Sequence, residues 1–146
     1  MMPLPPVSGW IIDFRTARSI FASGSNARIS HCVELCGAGK LVACHYEEVQ
    51  FKSDPKLKPA FLDGKNCIVV PDEDVMKRCI SIAKTPLKKK RLIGTDAPLF
   101  IAAFAAANSF GVISDHRSPS FSTVSDICEH YGIPALTADQ YFEAAL

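Results

Sequence analysis

Five acidic residues stand where they could do chemistry. Asp13 follows directly on Trp10-Ile11-Ile12, and Asp115 closes Gly111-Val112-Ile113-Ser114. Glu47 and Glu48 come shortly after the apolar run Leu41 to Cys44, and Asp96 stands in Gly94-Thr95-Asp96-Ala97-Pro98. Carboxylates gathered in one place suit a hard divalent cation, since Mg2+ takes oxygen ligands in octahedral geometry, keeps several waters and orients phosphate oxygens. Such a cation activates water and offsets the charge that grows in a phosphodiester's transition state. Without it, clustered carboxylates repel and some hold a proton. Acids after strands also serve as solvated turn residues or helix caps. A charge placed straight after three apolar residues nevertheless needs a partner, whereas capping alone accounts for Asp96 equally well.

The elements that would position these acids follow from hydrophobic period. Trp10 to Ile12 reads as a short buried strand, and Phe14 to Phe21 carries apolar residues at helical spacing. After the turn Gly24-Ser25-Asn26, residues Ile29, Cys32, Val33 and Cys36 recur at helical intervals and stop at Gly37 and Gly39. Leu41 to Cys44 is a second strand, followed by a polar helical turn from His45. Ser53 to Pro59 reads as a loop, Asn66 to Val70 as a third strand, and the acids at 72–74 as the first turn of a helix through Val75, Cys79 and Ile82. A helix opens near Thr95 or Asp96 and runs to about Asn108, and Gly111 to Ser114 forms a fourth strand. Val124 to Tyr131 is a helix stopped by Gly132 and Pro134, Ile133 to Leu136 the last strand, and Thr137 to Ala145 the last helix.

Strands separated by helices imply right-handed crossovers and a mainly parallel sheet covered on both faces, an α/β fold of three layers, α/β/α. Ligands of such sheets bind outside the carboxyl ends of the strands. That puts Asp13 and Asp115 at one edge, with Glu47 or Glu48 and Asp96 as candidates to join them. Neighbouring helical residues point about 100 degrees apart, so one of the two glutamates faces the site.

Composition bounds the rest. A chain of 146 residues with 48% apolar content is expected to be one domain, 1–146. Sixteen basic against 15 acidic residues, a net charge of +1, give no global nucleic-acid or membrane signature, so any basic surface is local. The start, MMPLPPVSG, lacks a basic and an apolar export region, and the longest apolar stretch, Leu99 to Ile113, is too short for a membrane span. We therefore expect no membrane association and a cytoplasmic location. The 6 cysteines fall mostly in apolar periodic segments and read as reduced core thiols. Cys32 and Cys36 have no second pair at zinc spacing.

The order Trp10-Ile11-Ile12-Asp13, Gly39-Lys40-Leu41-Val42 with Glu47-Glu48-Val49, Thr95-Asp96-Ala97-Pro98-Leu99-Phe100-Ile101-Ala102-Ala103-Phe104-Ala105 and Gly111-Val112-Ile113-Ser114-Asp115 resembles the PIN domain. The ending, Val124 to Tyr131, Gly132-Ile133-Pro134-Ala135-Leu136-Thr137 and Tyr141-Phe142, is similar to the close of the toxin-like PIN proteins. The resemblance covers nearly the whole chain, and its carboxy-terminal half is the specific part. It implies a metal-dependent ribonuclease, the toxin of a toxin-antitoxin pair held by a small antitoxin protein. Carried over by position, Asp13, Glu48, Asp96 and Asp115 would be the catalytic acids and ligands of Mg2+ or Mn2+. The resemblance also suggests a homodimer, for which Trp10 and the proline-rich start offer one contact.

One departure bears on activity. The family follows its first acid with a small polar residue and then Asn or Ser, whereas Phe14-Arg15-Thr16 stands here. Arg15 either contacts substrate phosphate or pairs with an acid. Lys84, Lys88, Lys89, Lys90 and Arg91 form the dense basic cluster; Lys88 to Arg91 are candidates, with Arg15, to neutralise RNA phosphates. His116 reads as a turn residue that could also serve acid-base chemistry. Gly39-Lys40 fails as a phosphate loop, because Glu34 and Leu41 occupy its flanking positions, and no Gly-x-Ser-x-Gly elbow is present. The alternative to a nuclease is a catalytically silent PIN-like module that binds a protein partner or RNA. A receiver-like domain fits less well, since it needs consecutive early acids and a lysine after a late strand.

Overall fold

The computed structural model describes residues 3–84, 91–92, 97–118 and 121–146, with backbone alone at 91–92 and 121–122. Three consecutive apolar residues form β1, Trp10–Ile12, and all are buried. Helix α1, Phe14–Ala22, starts at once because Asp13 caps it, its side chain accepting from the Thr16 amide. Helix α2, Asn26–Gly37, is capped by Ser25 and gives way to Gly39, whose φ of +72° turns the chain into β2, Leu41–Cys44. A 3-10 turn, His45–Glu47, precedes the short α3, Glu48–Ser53. A π-helical turn at Pro59–Asp63 leads to β3, Ile68–Val69. Helix α4, Glu73–Ala83, is capped by Asp72. Then come β4 (Arg91–Leu92), α5 (Ala97–Asn108), β5 (Gly111–Ile113) and β6 (Phe121–Ser122). The chain closes with α6 (Val124–Tyr131), β7 (Ala135–Leu136) and α7 (Ala138–Ala145).

The central sheet has five parallel strands in the order β3-β2-β1-β5-β7, and β4 and β6 pair separately, also in parallel. Side chains alternate between its faces. Trp10, Ile12, Leu41, Ala43 and Ile113 pack with α1, α2, α3 and α7 on one side. Ile11, Val42, Cys44 and Val112 pack with α4, α5 and α6 on the other. The expected three-layer α/β/α architecture is thus present. Helix α5 is apolar nearly all round because it lies inside that second layer, with six of its residues buried. Trp10 sits against Tyr141 at 5.1 Å and across Gly111, where a Cβ would fall 2.4 Å from its ring.

Several boundaries differ from expectation. The third and last strands shrink to two residues each, and the loop expected over Ser53 to Pro59 is confined to 54–56, since Ser53 ends a helix and the chain is helical again from 57 into the π turn. The β4–β6 ladder has no counterpart in the sequence reading. Trp10 is only 5% exposed, so it is a core residue and not the surface contact expected of it. Among the described residues no helix is long and apolar enough to cross a membrane.

Candidate active site

From β1 the chain order runs outward through β2 and β3 in one direction and through β5 and β7 in the other. The crevice outside the carboxyl ends of β1 and β5 is therefore the topological switch point, where sheets of this kind receive ligands. Asp13 occupies it. One carboxylate oxygen accepts from the Thr16 amide at 2.7 Å, and the other accepts from the Ser114 hydroxyl at the end of β5. These bonds make burial of a charge one residue beyond an apolar strand tolerable.

The second acid stands in the turn after β2. Glu47, not the expected Glu48, reaches across to α1, and its Oε1 accepts from the Phe14 amide at 3.1 Å. The cause is local. Glu47 ends the 3-10 turn and lies just outside α3, with φ of −106° and ψ of 5°, while Glu48 has already entered that helix's first turn. The two carboxylates thus satisfy neighbouring orphan amides at the positive end of α1. Burial pushes the Glu47 carboxyl up to about 7, with the Asp13 charge adding to it and the Phe14 hydrogen bond opposing it.

Both acids line a cleft of about 360 Å3 together with Arg15, Arg18, Gln50 and His116, and with Ala97, Pro98, Ile101 and Val124 as apolar walls. Arg18 lies 5.5 Å from the Phe14 ring centre, a cation-π distance that fixes its guanidinium near the rim. Asp115 is beside the cleft but turned from it. Its amide donates to Thr16 Oγ1 at 2.9 Å, and its carboxylate accepts from the Ala138 amide at 2.8 Å, capping α7. Asp96, Lys88, Lys89 and Lys90 lie outside the described residues, as does the side chain of Arg91.

Among the described residues no three His, Cys, Asp or Glu side chains are grouped to hold a metal ion. Two carboxylates are nevertheless a fitting donor set for Mg2+ or Mn2+, because Mg2+ is commonly held by one or two carboxylates with water and substrate phosphate completing its shell. A cation at Asp13 and Glu47 would also relieve the cost of placing a buried and a half-buried acid together.

Sequence reasoning overlooked Ser114 and Arg18. A polar residue ending an otherwise buried strand was a signal for the first, and the three-residue spacing from Arg15, which shares a helix face, was one for the second. No family model matches the chain, and no curated protein matches it.

Proposed function

We propose that the chain is a divalent-metal-dependent endoribonuclease, with Asp13 and Glu47 as the ligands at its core. The observation that carries this reading is the convergence of these acids, from different elements, in one arginine-rimmed cleft at the sheet's switch point. The resemblance stated above adds Asp96, the residue before cleft-lining Ala97, as a further ligand. Bound Mg2+ or Mn2+ would supply an activated water and neutralise phosphate charge. Arg15 and Arg18 hold the phosphodiester, and Ser114 and the α1 amides fix the carboxylates so that ligand geometry is set before substrate arrives. His116 is a cleft side chain able to exchange a proton. The same resemblance implies a toxin with a small antitoxin protein as partner, and the free core cysteines fit a cytoplasmic location for it.

A second reading is favoured by one observation. Asp115 caps α7 through one carboxylate oxygen and does not line the cleft, which leaves fewer ligands there than the resemblance implies and fits a silent module that binds RNA or a protein. Calorimetry with Mn2+ on wild type, Asp13→Asn, Glu47→Gln and Glu48→Gln, run beside RNA cleavage assays, decides between them. The nuclease reading expects binding and cleavage in wild type and Glu48→Gln, and loss of both in the other two. Absence of both metal binding and cleavage in wild type selects the silent module.

A further inference from the structure

We propose that Cys36 and Cys67 form an oxidation-sensitive thiol pair, a modification site beside the edge strand β3 that a peroxide converts to a disulfide. The two residues come from the last turn of α2 and the residue before β3. Cys67 Sγ lies 3.3 Å from the Cys36 carbonyl oxygen and 3.3 Å from that of Lys65. Both side chains sit in the same buried cluster, close enough for each thiol to bear on the other's ionisation. Neither residue lines the cleft.

Their surroundings differ from those of the other cysteines. Residues 63–66, just before Cys67, are exposed, while Cys67 itself is buried. The Lys65 ammonium is folded back over Gly39, where an added Cβ would come within 2.8 Å of Nζ, and its charge bears on Cys67. The Cys36 side chain, and then the Lys65 charge, lower the Cys67 pKa against the opposing effect of burial. The Cys67 side chain and burial push the Cys36 thiol up. Burial alone raises Cys32 and Cys128 to about 12, and it is the main cause of a similar rise at Cys44. Cys67 is thus the nucleophile of the pair and Cys36 the thiol that resolves it.

The chemistry balances with a peroxide as oxidant. The Cys67 thiolate attacks one peroxide oxygen, the O–O bond breaks, and the displaced oxygen leaves protonated, giving a sulfenic acid. Cys36 sulfur then attacks Cys67 sulfur, and the hydroxyl departs as water with the Cys36 proton. Two thiols lose two electrons in all, and the peroxide gains them. Cys32, one turn before Cys36 on α2, is the competing partner, but a bond there would join residues of one helix and leave β3 untied.

The experiment is disulfide mapping by mass spectrometry on the full chain, reduced, treated with stoichiometric hydrogen peroxide, and alkylated before digestion. The expected result is a Cys36–Cys67 linked peptide, lighter by two hydrogens than the separate peptides and released by dithiothreitol. A Cys32–Cys36 link, oxidation confined to Cys79, or no intramolecular link overturns the proposal. The wild-type map decides this without a substitution that could unfold the core.

Discussion

The Ser114 hydroxyl donates to the Asp13 carboxylate and so ties the ends of β5 and β1 together across the crevice where the sheet's chain order reverses. Ser114 is 1% exposed, so no water replaces that donor easily. Ser114→Ala leaves one oxygen of a buried carboxylate short of a partner, and the expected cost is about 1–3 kcal/mol in urea unfolding. Because Ser114 orients a candidate ligand, the same substitution is expected to weaken Mn2+ binding about tenfold. Loss of stability with unchanged Mn2+ affinity would leave Ser114 a purely structural residue.

Glu47 ties stability to pH, with a definite sign. Its carboxyl is raised from 4.5 to about 7, so the folded protein binds this proton more tightly than the unfolded chain. The associated stability is full below pH 4.5, falls as pH rises towards 7, and is absent above that. Glu47→Gln cannot ionise yet keeps an acceptor for the Phe14 amide. In chelator it is therefore expected to match wild type at pH 4 and exceed it by about 1–2 kcal/mol at pH 8, after discounting for the group's partial solvent access. Added Mn2+ should narrow the gap by stabilising wild type alone. Equal stability of the two proteins at pH 8 would show that Glu47 ionises without penalty.

Asp115 is expected to behave as a cap. Its carboxylate accepts from the Ala138 amide, the first helical residue of α7, where Thr137 and Gln140 already form a capping box. Asp115→Ala removes that bond and the charge that favours the helix's positive end, for an expected loss of about 0.5–2 kcal/mol. Mn2+ affinity should change little. A loss of affinity as large as that of Asp13→Asn would instead make Asp115 a ligand despite its bond to α7.

How much of this was legible in the sequence depends on how local each cause is. Strands β1 and β2 and helix α6 fall where apolar period and flanking Asp13, Gly39 and Gly132 put them, because those signals lie within a few residues. Asp13 was legible for the same reason. The choice between Glu47 and Glu48 was not, since an α-helical count from Cys44 misses the 3-10 turn that rotates Glu47 towards Phe14. The capping of α7 by Asp115 joins residues 23 positions apart and has no local signal. Strands β3 and β7 fall within the longer runs expected at 66–70 and 133–136, whereas β4 and β6, of two residues each, are too short for any period to reveal.

Arg15 and Arg18 offer the sharpest test of what the cleft receives. They stand three apart on α1, both line the cleft, and Arg18 is held over Phe14. If RNA phosphates enter there, each arginine releases counterions on binding, and the dependence of log affinity on log salt carries about 0.7 per contact for a single strand. Arg15→Ala and Arg18→Ala, titrated with single-stranded RNA in chelator so that no cleavage intervenes, should each bind more weakly and lower that slope by about this amount. Arg28 provides the control, because it pairs with Asp139 at 2.9 Å and stacks on Phe142, away from the cleft. Arg28→Ala should leave the slope unchanged. Slopes unaltered in all three variants would take RNA out of this cleft and leave Lys88 to Arg91 as the remaining phosphate contacts to examine.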